Sequence, residues 1–180
     1  MSLQEPESGS ETVETRPRGE APALSARNLA LVRKACAFID AQDGRAVTLA
    51  ELAGHVGASP WHLQRLFKRA IGVSPRAYAD ARRSRRFRDE LRSGESIAGA
   101  TYGAGYGSSS RVYESAGAWL GMTPASYARG GKGARIAYAT IESPLGRLLV
   151  AATAKGICFV SIADGEAALD AALRAEFPKA

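Results

Sequence analysis

Two stretches of this chain, about 48 residues apart, carry the same punctuation. In the first, Ala53 and Gly57 stand four apart between two helical patterns, and Ile71-Gly72-Val73-Ser74-Pro75 closes the unit. In the second, Thr101 and Gly105 take those places, and Leu120-Gly121-Met122-Thr123-Pro124 closes it. A small residue lets two helices approach, and Gly supplies the positive φ of a tight turn. Ser or Thr before Pro caps the helix that follows, with Pro at the first position, where its missing N–H costs nothing. The repeat therefore predicts two helix-turn-helix units, and whatever joins them must act as a strut.

The first unit is the better specified. Leu29, Val32, Ala35, Cys36 and Ile39 recur at helical spacing within Ser25–Gln42, with Asp43-Gly44 as the stop. Thr48 caps a second helix, Leu49 to Val56, and Glu51 is its capping-box partner. After Gly57, Ser59 is the cap and Pro60 the first residue of a third helix. Its Leu63, Leu66, Phe67 and Ala70 share one face and are expected to be buried. Trp61, His62, Gln64, Arg65 and Lys68 are left outside. Indole, amide and guanidinium groups make a poor solvent face but a good face for reading base edges.

The strut is the stretch from about Pro75 to Ser93, roughly 27 Å of helix at 1.5 Å per residue. It holds seven arginines, at positions 76, 82, 83, 85, 86, 88 and 92, over a thin apolar stripe of Tyr78, Ala81, Phe87 and Leu91. Much of this charge suits phosphate, which positions a protein without specifying sequence. Arg83 is expected to tie the helix to a neighbouring carboxylate. The second unit runs from a short helix, Ile97–Gly103, through Ser108-Ser109-Ser110 to a helix from Arg111 to Leu120. A last helix passes through Tyr127 and ends at Gly130-Gly131.

Charge distribution agrees with this layout. Residues 26–135 hold 18 Lys and Arg against 8 Asp and Glu, whereas residues 1–25 carry a net −3 and residues 136–180 a net −1. The positive middle is the footprint expected of a nucleic-acid partner. Residues 1–24 are rich in Glu, Ser, Pro and Gly and are expected to form a disordered acidic tail. No apolar run approaches the roughly 20 residues of a membrane span. Without a basic-then-apolar leader either, the expectation is a cytoplasmic protein with no membrane partner.

Beyond Gly131 the pattern changes to short apolar runs separated by turns. Arg135–Glu142, Arg147–Thr153 and Ile157–Ile162, joined by short Gly turns, predict a three-strand antiparallel meander, and Ala167–Phe177 an alanine-rich helix. About 45 residues of this kind are too few for an independent core. The two cysteines, Cys36 and Cys158, lie on apolar stripes without CxxC or Cys/His spacing, which predicts packed thiols and no metal site. Both histidines, His55 and His62, fall in the first unit. No catalytic constellation and no cofactor site is expected.

The segments SPWHLQRLFK, GVSPRAY, AGYGSSSRVY and LGMTPASYARGG together resemble the AraC-family DNA-binding domain, over roughly Ala26–Gly131. The resemblance implies a mostly α fold, with two helix-turn-helix units on one long helix and a recognition helix for each of two successive major grooves of double-stranded DNA. It implies Trp61, Gln64 and Arg65 as base readers. His62, Lys68, Ser59, Arg69, Arg82 and Arg86 are assigned to the phosphate backbone. In the second unit Glu114 and Gly117 stand where the family often carries Arg and Lys, and Ala116 where a core Phe is usual. That helix is expected to bind weakly, through Ser109, Ser110 and Arg111.

Residues 134–180, with SPLGRLLVAATAKGICFVSI, are similar to the opening of a methylated-DNA–protein-cysteine methyltransferase domain of ribonuclease-H-like topology. The combination resembles adaptive-response regulators. It implies a transcription regulator, an activator of the response to DNA alkylation, acting as a monomer with RNA polymerase as a further partner. The alternative it implies is a fragment of a repair methyltransferase. Such proteins take methyl groups on a four-cysteine zinc domain and on a Pro-Cys-His-Arg segment, and neither pattern occurs here.

Overall fold

The computed structural model describes residues 24–180; the expected tail, apart from Leu24, lies outside the described residues. Seven helices come first: α1 (Ala26–Asp40), α2 (Leu49–Val56), α3 (Pro60–Ile71), α4 (Pro75–Arg92), α5 (Ile97–Gly103), α6 (Ser109–Leu120) and α7 (Pro124–Ala128). Strands β1 (Ala137–Ser143), β2 (Gly146–Thr153) and β3 (Gly156–Ala163) form an antiparallel meander in chain order, and α8 (Glu166–Glu176) closes the chain. No helix among the described residues is long and apolar enough to cross a membrane.

Local sequence explains most of the element ends. Ser25, Thr48, Ser59, Ser74, Ser96 and Thr123 each accept a hydrogen bond from a backbone N–H of the first turn that follows. Gly57 (φ 72) and Gly105 (φ 80) take the left-handed conformation at corresponding turns. Ala58 N–H donates to the Ala53 carbonyl at 3.0 Å, and Tyr106 N–H to that of Thr101 at 3.0 Å, so the repeat seen in sequence is also a repeat of hydrogen bonds. α6 begins two residues before its expected start, at Ser109.

Two apolar clusters hold the fold. The first joins α1, α2 and α3 through Val32, Ala35, Ile39, Leu52, Ala53, Val56, Leu63, Leu66 and Phe67, with Tyr78 of α4 packed against it. Phe67 meets Tyr78 edge to face at 5.6 Å. Leu24, assigned from sequence to the tail, packs against this cluster too. The second cluster begins on α4 at Phe87 and Leu91 and takes in Ala100, Ala104, Val112, Ala116, Leu120, Met122 and Tyr127. It continues without a break into Leu149, Ala151 and Cys158 of the sheet, Leu169 and Leu173 of α8, and Phe177 just beyond it. The long helix thus carries one core on each half. The meander has no core apart from the second helix-turn-helix unit.

Two sequence expectations about faces are corrected, and a third position keeps its place in the core. Leu29, placed on the α1 stripe, is exposed, because the core side of α1 is set by Val32, Ala35 and Ile39 against α2 and α3. Ala81 is exposed as well, and Ala79 packs on the first core in its stead. Ala116 is fully buried, but the bulk lost there is replaced from the same helix. Trp119 packs edge to face on Phe87 at 5.6 Å and stacks on Tyr106 at 6.4 Å.

Candidate nucleic-acid interface

α3 is the most sharply two-sided helix of the chain. Leu63, Leu66 and Phe67 are buried, whereas Trp61, His62, Gln64, Arg65, Lys68 and Arg69 all face solvent. Ser59 is spent partly on the cap, accepting from His62 N–H at 3.3 Å. Trp61 is two-thirds exposed, an unusual state for an indole, and the Arg65 guanidinium lies 4.3 Å above its ring. A cation held over an aromatic face is a modest attraction that restricts where the guanidinium points. Among the described residues Arg65 forms no ion pair. Its hydrogen-bonding edge is therefore open to an acceptor pair such as guanine O6 and N7.

Gln64 faces a hollow of about 550 Å³ between α2, α3 and the start of α4, floored by Ile39, Val47, Leu49 and Leu52. This recess is a feature that periodicity could not have shown, since its walls come from four separate elements. His55 lies on α2, and its ring packs on Phe38 at 4.1 Å.

The linker arginines are arranged differently from the sequence reading. Arg82 and Arg86, expected on phosphate, are engaged within the protein: Arg82 Nε lies 2.6 Å from Asp40 Oδ1, and Arg86 Nη1 2.9 Å from Asp43 Oδ1. The physical reason is proximity. The end of α1 and the turn after it lie along α4, which brings their carboxylates within ion-pair distance of these arginines. Arg83 was expected to make such a tie, yet it pairs with Asp80 of its own helix at 3.6 Å and lies 5.5 Å over the Tyr106 ring.

These ties also fix one unit against the other. Gly44 and Gly105 meet backbone to backbone. A Cβ on Gly44 would lie 2.3 Å from the Ala104 carbonyl oxygen, and one on Gly105 would lie 2.1 Å from that of Gly44. Sequence marked both as turn glycines; nothing local could show that they touch. Within α6, Val112, Ala116 and Leu120 form the buried side. The expectations for the side chains of Ser109, Ser110, Arg111 and Glu114 lie outside the described residues.

Neither cysteine has the surroundings of a nucleophile. Burial pushes the thiol of Cys158 up, and Cys36 is pushed up chiefly by burial as well, which disfavours the thiolate. Cys158 Sγ points at the Ala151 carbonyl, 3.4 Å away in the neighbouring strand.

Two family models match the chain. Residues 52–130 match a helix-turn-helix domain, and residues 136–178 match the 6-O-methylguanine DNA methyltransferase, ribonuclease-like domain. The chain is 42% identical over 134 residues to the Bifunctional transcriptional activator/DNA repair enzyme Ada of Escherichia coli (strain K12), covering 74% of this chain and 38% of that protein. It is 41% identical over 154 residues to the Regulatory protein ada of Salmonella typhimurium (strain LT2), covering 86% of this chain and 43% of that one. The chain thus spans about two fifths of the length of these curated relatives. A solved transcriptional regulator from Chromobacterium violaceum, of the AraC-type DNA-binding domain-containing proteins, superposes with a TM-score of 0.51 at 24% identity. It covers 56% of this chain and 91% of that one, which shows the shared fold.

Proposed function

Because residues 52–130 match a helix-turn-helix domain and residues 136–178 match the ribonuclease-like domain of a 6-O-methylguanine DNA methyltransferase, we propose that the chain is an AraC-type, sequence-specific regulator of transcription in the response to DNA alkylation. It binds double-stranded DNA as a monomer, one helix-turn-helix unit in each of two successive major grooves, and acts as an activator with RNA polymerase as its further partner. The observation that carries the reading is the outward face of α3, where Trp61, Gln64 and Arg65 stand exposed above a fully buried Leu63 and Phe67. Trp61, Gln64 and Arg65 read base edges; Ser109, Ser110 and Arg111 do so more weakly at the start of α6. His62, Lys68 and Arg69 lie beside the backbone, with the cap residue Ser59 at the edge of the same face.

The test is binding to duplexes selected by the protein itself from a random pool, followed by titration with salt. Specific binding falls linearly in log–log form, with a slope set by the phosphates neutralised. A pool that yields no enriched sequence would reject base reading.

A second reading is favoured by the match over residues 136–178: the chain is part of a bifunctional repair protein whose methyl acceptor is neither Cys36 nor Cys158. The buried, raised thiol of Cys158 supports that negative half. Incubation with O6-methylguanine duplex and intact-mass measurement checks it, and a gain of one methyl group on this chain would contradict it.

A further inference from the structure

We propose that the ribonuclease-like part is a working component of the second reading head, holding α6 in the posture from which it meets DNA. The proposal rests on the DNA-reading function above and adds a role for residues 137–177 that base reading by the helices does not require.

The first head closes its own core, whereas the second does not. α5, α6 and the turn between them contribute Ala100, Thr101, Ala104, Val112, Ala116 and Leu120, small residues apart from the last, and the cluster is completed by Leu149 and Cys158 of the sheet and Phe177 beyond α8. The grip is closest at the C-terminal end of α6. A Cβ on Gly156 would lie 2.8 Å from the Ala118 carbonyl oxygen, and one on Gly121 would lie 2.6 Å from that of Gly156. The Thr153 hydroxyl donates to the Gly121 carbonyl, so the β2–β3 turn caps the helix.

At the other end of the sheet module, Glu176 is nine-tenths buried. It pairs with Arg92 at the end of α4 and accepts from the Tyr127 hydroxyl of α7. Lys179 N–H donates to the Gly130 carbonyl at 2.9 Å. The sheet and α8 therefore touch α4, α6 and α7, the helices that frame the second head. A reading element is only as well oriented as the shell that supports it. It follows by linkage that whatever draws the sheet away weakens the second head, and that DNA on the second head steadies the sheet.

The experiment uses the full chain, on a duplex it has selected from a random pool, with hydroxyl-radical footprinting and hydrogen exchange read together. In the unmodified chain under increasing urea, residues 97–128 and 137–177 open together, while residues 26–71 open separately. Gly156→Ala wedges β3 from Ala118, and Glu176→Ala removes the tie to Arg92 and Tyr127. Each variant speeds exchange in the strands and loses the second protected segment in step. Affinity for the full duplex falls about tenfold or more as two-point attachment is lost. Affinity for a duplex bearing only the first segment stays within about twofold, as expected for a distant site.

Release of the strands with both segments still protected would overturn the proposal. So would separate opening of the two regions in the unmodified chain. Failure of the underlying reading looks different: no enriched sequence and no protected segment even without substitution.

Discussion

The two helix-turn-helix units share a backbone and differ in what stabilises it. Their turns match down to the Ala58–Ala53 and Tyr106–Thr101 hydrogen bonds, both 3.0 Å, and to the left-handed Gly57 and Gly105. Behind the turns, the first unit buries Leu52, Leu63, Leu66 and Phe67, residues large enough to fill the space between three helices. The second fills the corresponding space with small side chains, the Trp119–Tyr106–Phe87 aromatic group, and apolar residues from the sheet and α8. A turn motif is a local property and copies easily. The core that supports it is a sum over whatever packs there, so it can be supplied by a different part of the chain.

The largest expected effect tests that division directly. Phe177→Ala leaves a cavity where Tyr127 and Phe159 meet the ring edge to face, at 5.7 and 6.4 Å, and costs about 3–5 kcal/mol. That loss falls on α5–α7 and the sheet together, and exchange in α1–α3 stays as it was. Phe67→Ala carries a similar cost and the opposite pattern, opening α1–α3 first. Hydrogen exchange by mass spectrometry reads both, and equal loosening of the two units by either substitution would dissolve the distinction between the cores.

Next in size is the reading face. Arg65→Ala loses about 1–3 kcal/mol of discrimination between selected and scrambled duplexes. Equal losses on both would remove its base-reading role. Arg82→Ala makes a useful contrast, because its partner is Asp40 and both side chains are more than a third exposed. It costs at most about 1 kcal/mol of stability. The slope of log affinity against log salt stays unchanged, whereas a phosphate contact would lower it by about one. A lowered slope would return Arg82 to the DNA-contacting set.

The sequence made legible what depends on neighbours a few residues apart. Helix caps, the two Gly turns, the repeat and the two faces of α3 all follow from short spacings, and the strands begin within two residues of where the apolar runs placed them. What it hid depends on partners remote in the chain. Leu29 and Ala81 fit an apolar stripe by spacing, but which edge of a stripe is covered is decided by the helices laid against it. Arg82 and Arg86 read as phosphate ligands because Asp40 and Asp43, some 40 residues earlier, carry no signal of lying alongside. The apolar runs in residues 137–163 predicted strands too few for a core of their own, and nothing in them named α6 as the cover.

The most local expected effect comes from the caps, where the units differ again. α2 has a full capping box. Thr48 accepts from Glu51 N–H at 3.2 Å, and the Glu51 carboxylate accepts from Thr48 N–H at 2.8 Å, with Arg45 3.2 Å away. α5 has the Ser96 cap but not the box: Gly99 occupies the third position, and the Ser96 N–H donates instead to the carboxylate of the preceding Glu95 at 2.9 Å. The backbone hydrogen bond from Thr48, with its hydroxyl and Arg45 assisting, holds the Glu51 carboxyl below the usual carboxylate range. A lowered folded-state pKa means that this contribution is fully present above the ordinary glutamate value and is lost as pH falls through the lowered one. Acid should therefore weaken the start of α2 once the pH falls through the lowered value. Glu51→Gln should abolish that pH dependence while leaving part of the cap, and Thr48→Ala should cost about 0.5–2 kcal/mol at neutral pH. Amide exchange at residues 49–52 against 97–100, followed from neutral pH into acid, measures the difference; parallel fraying of both starts would show that the capping box does not distinguish the two units.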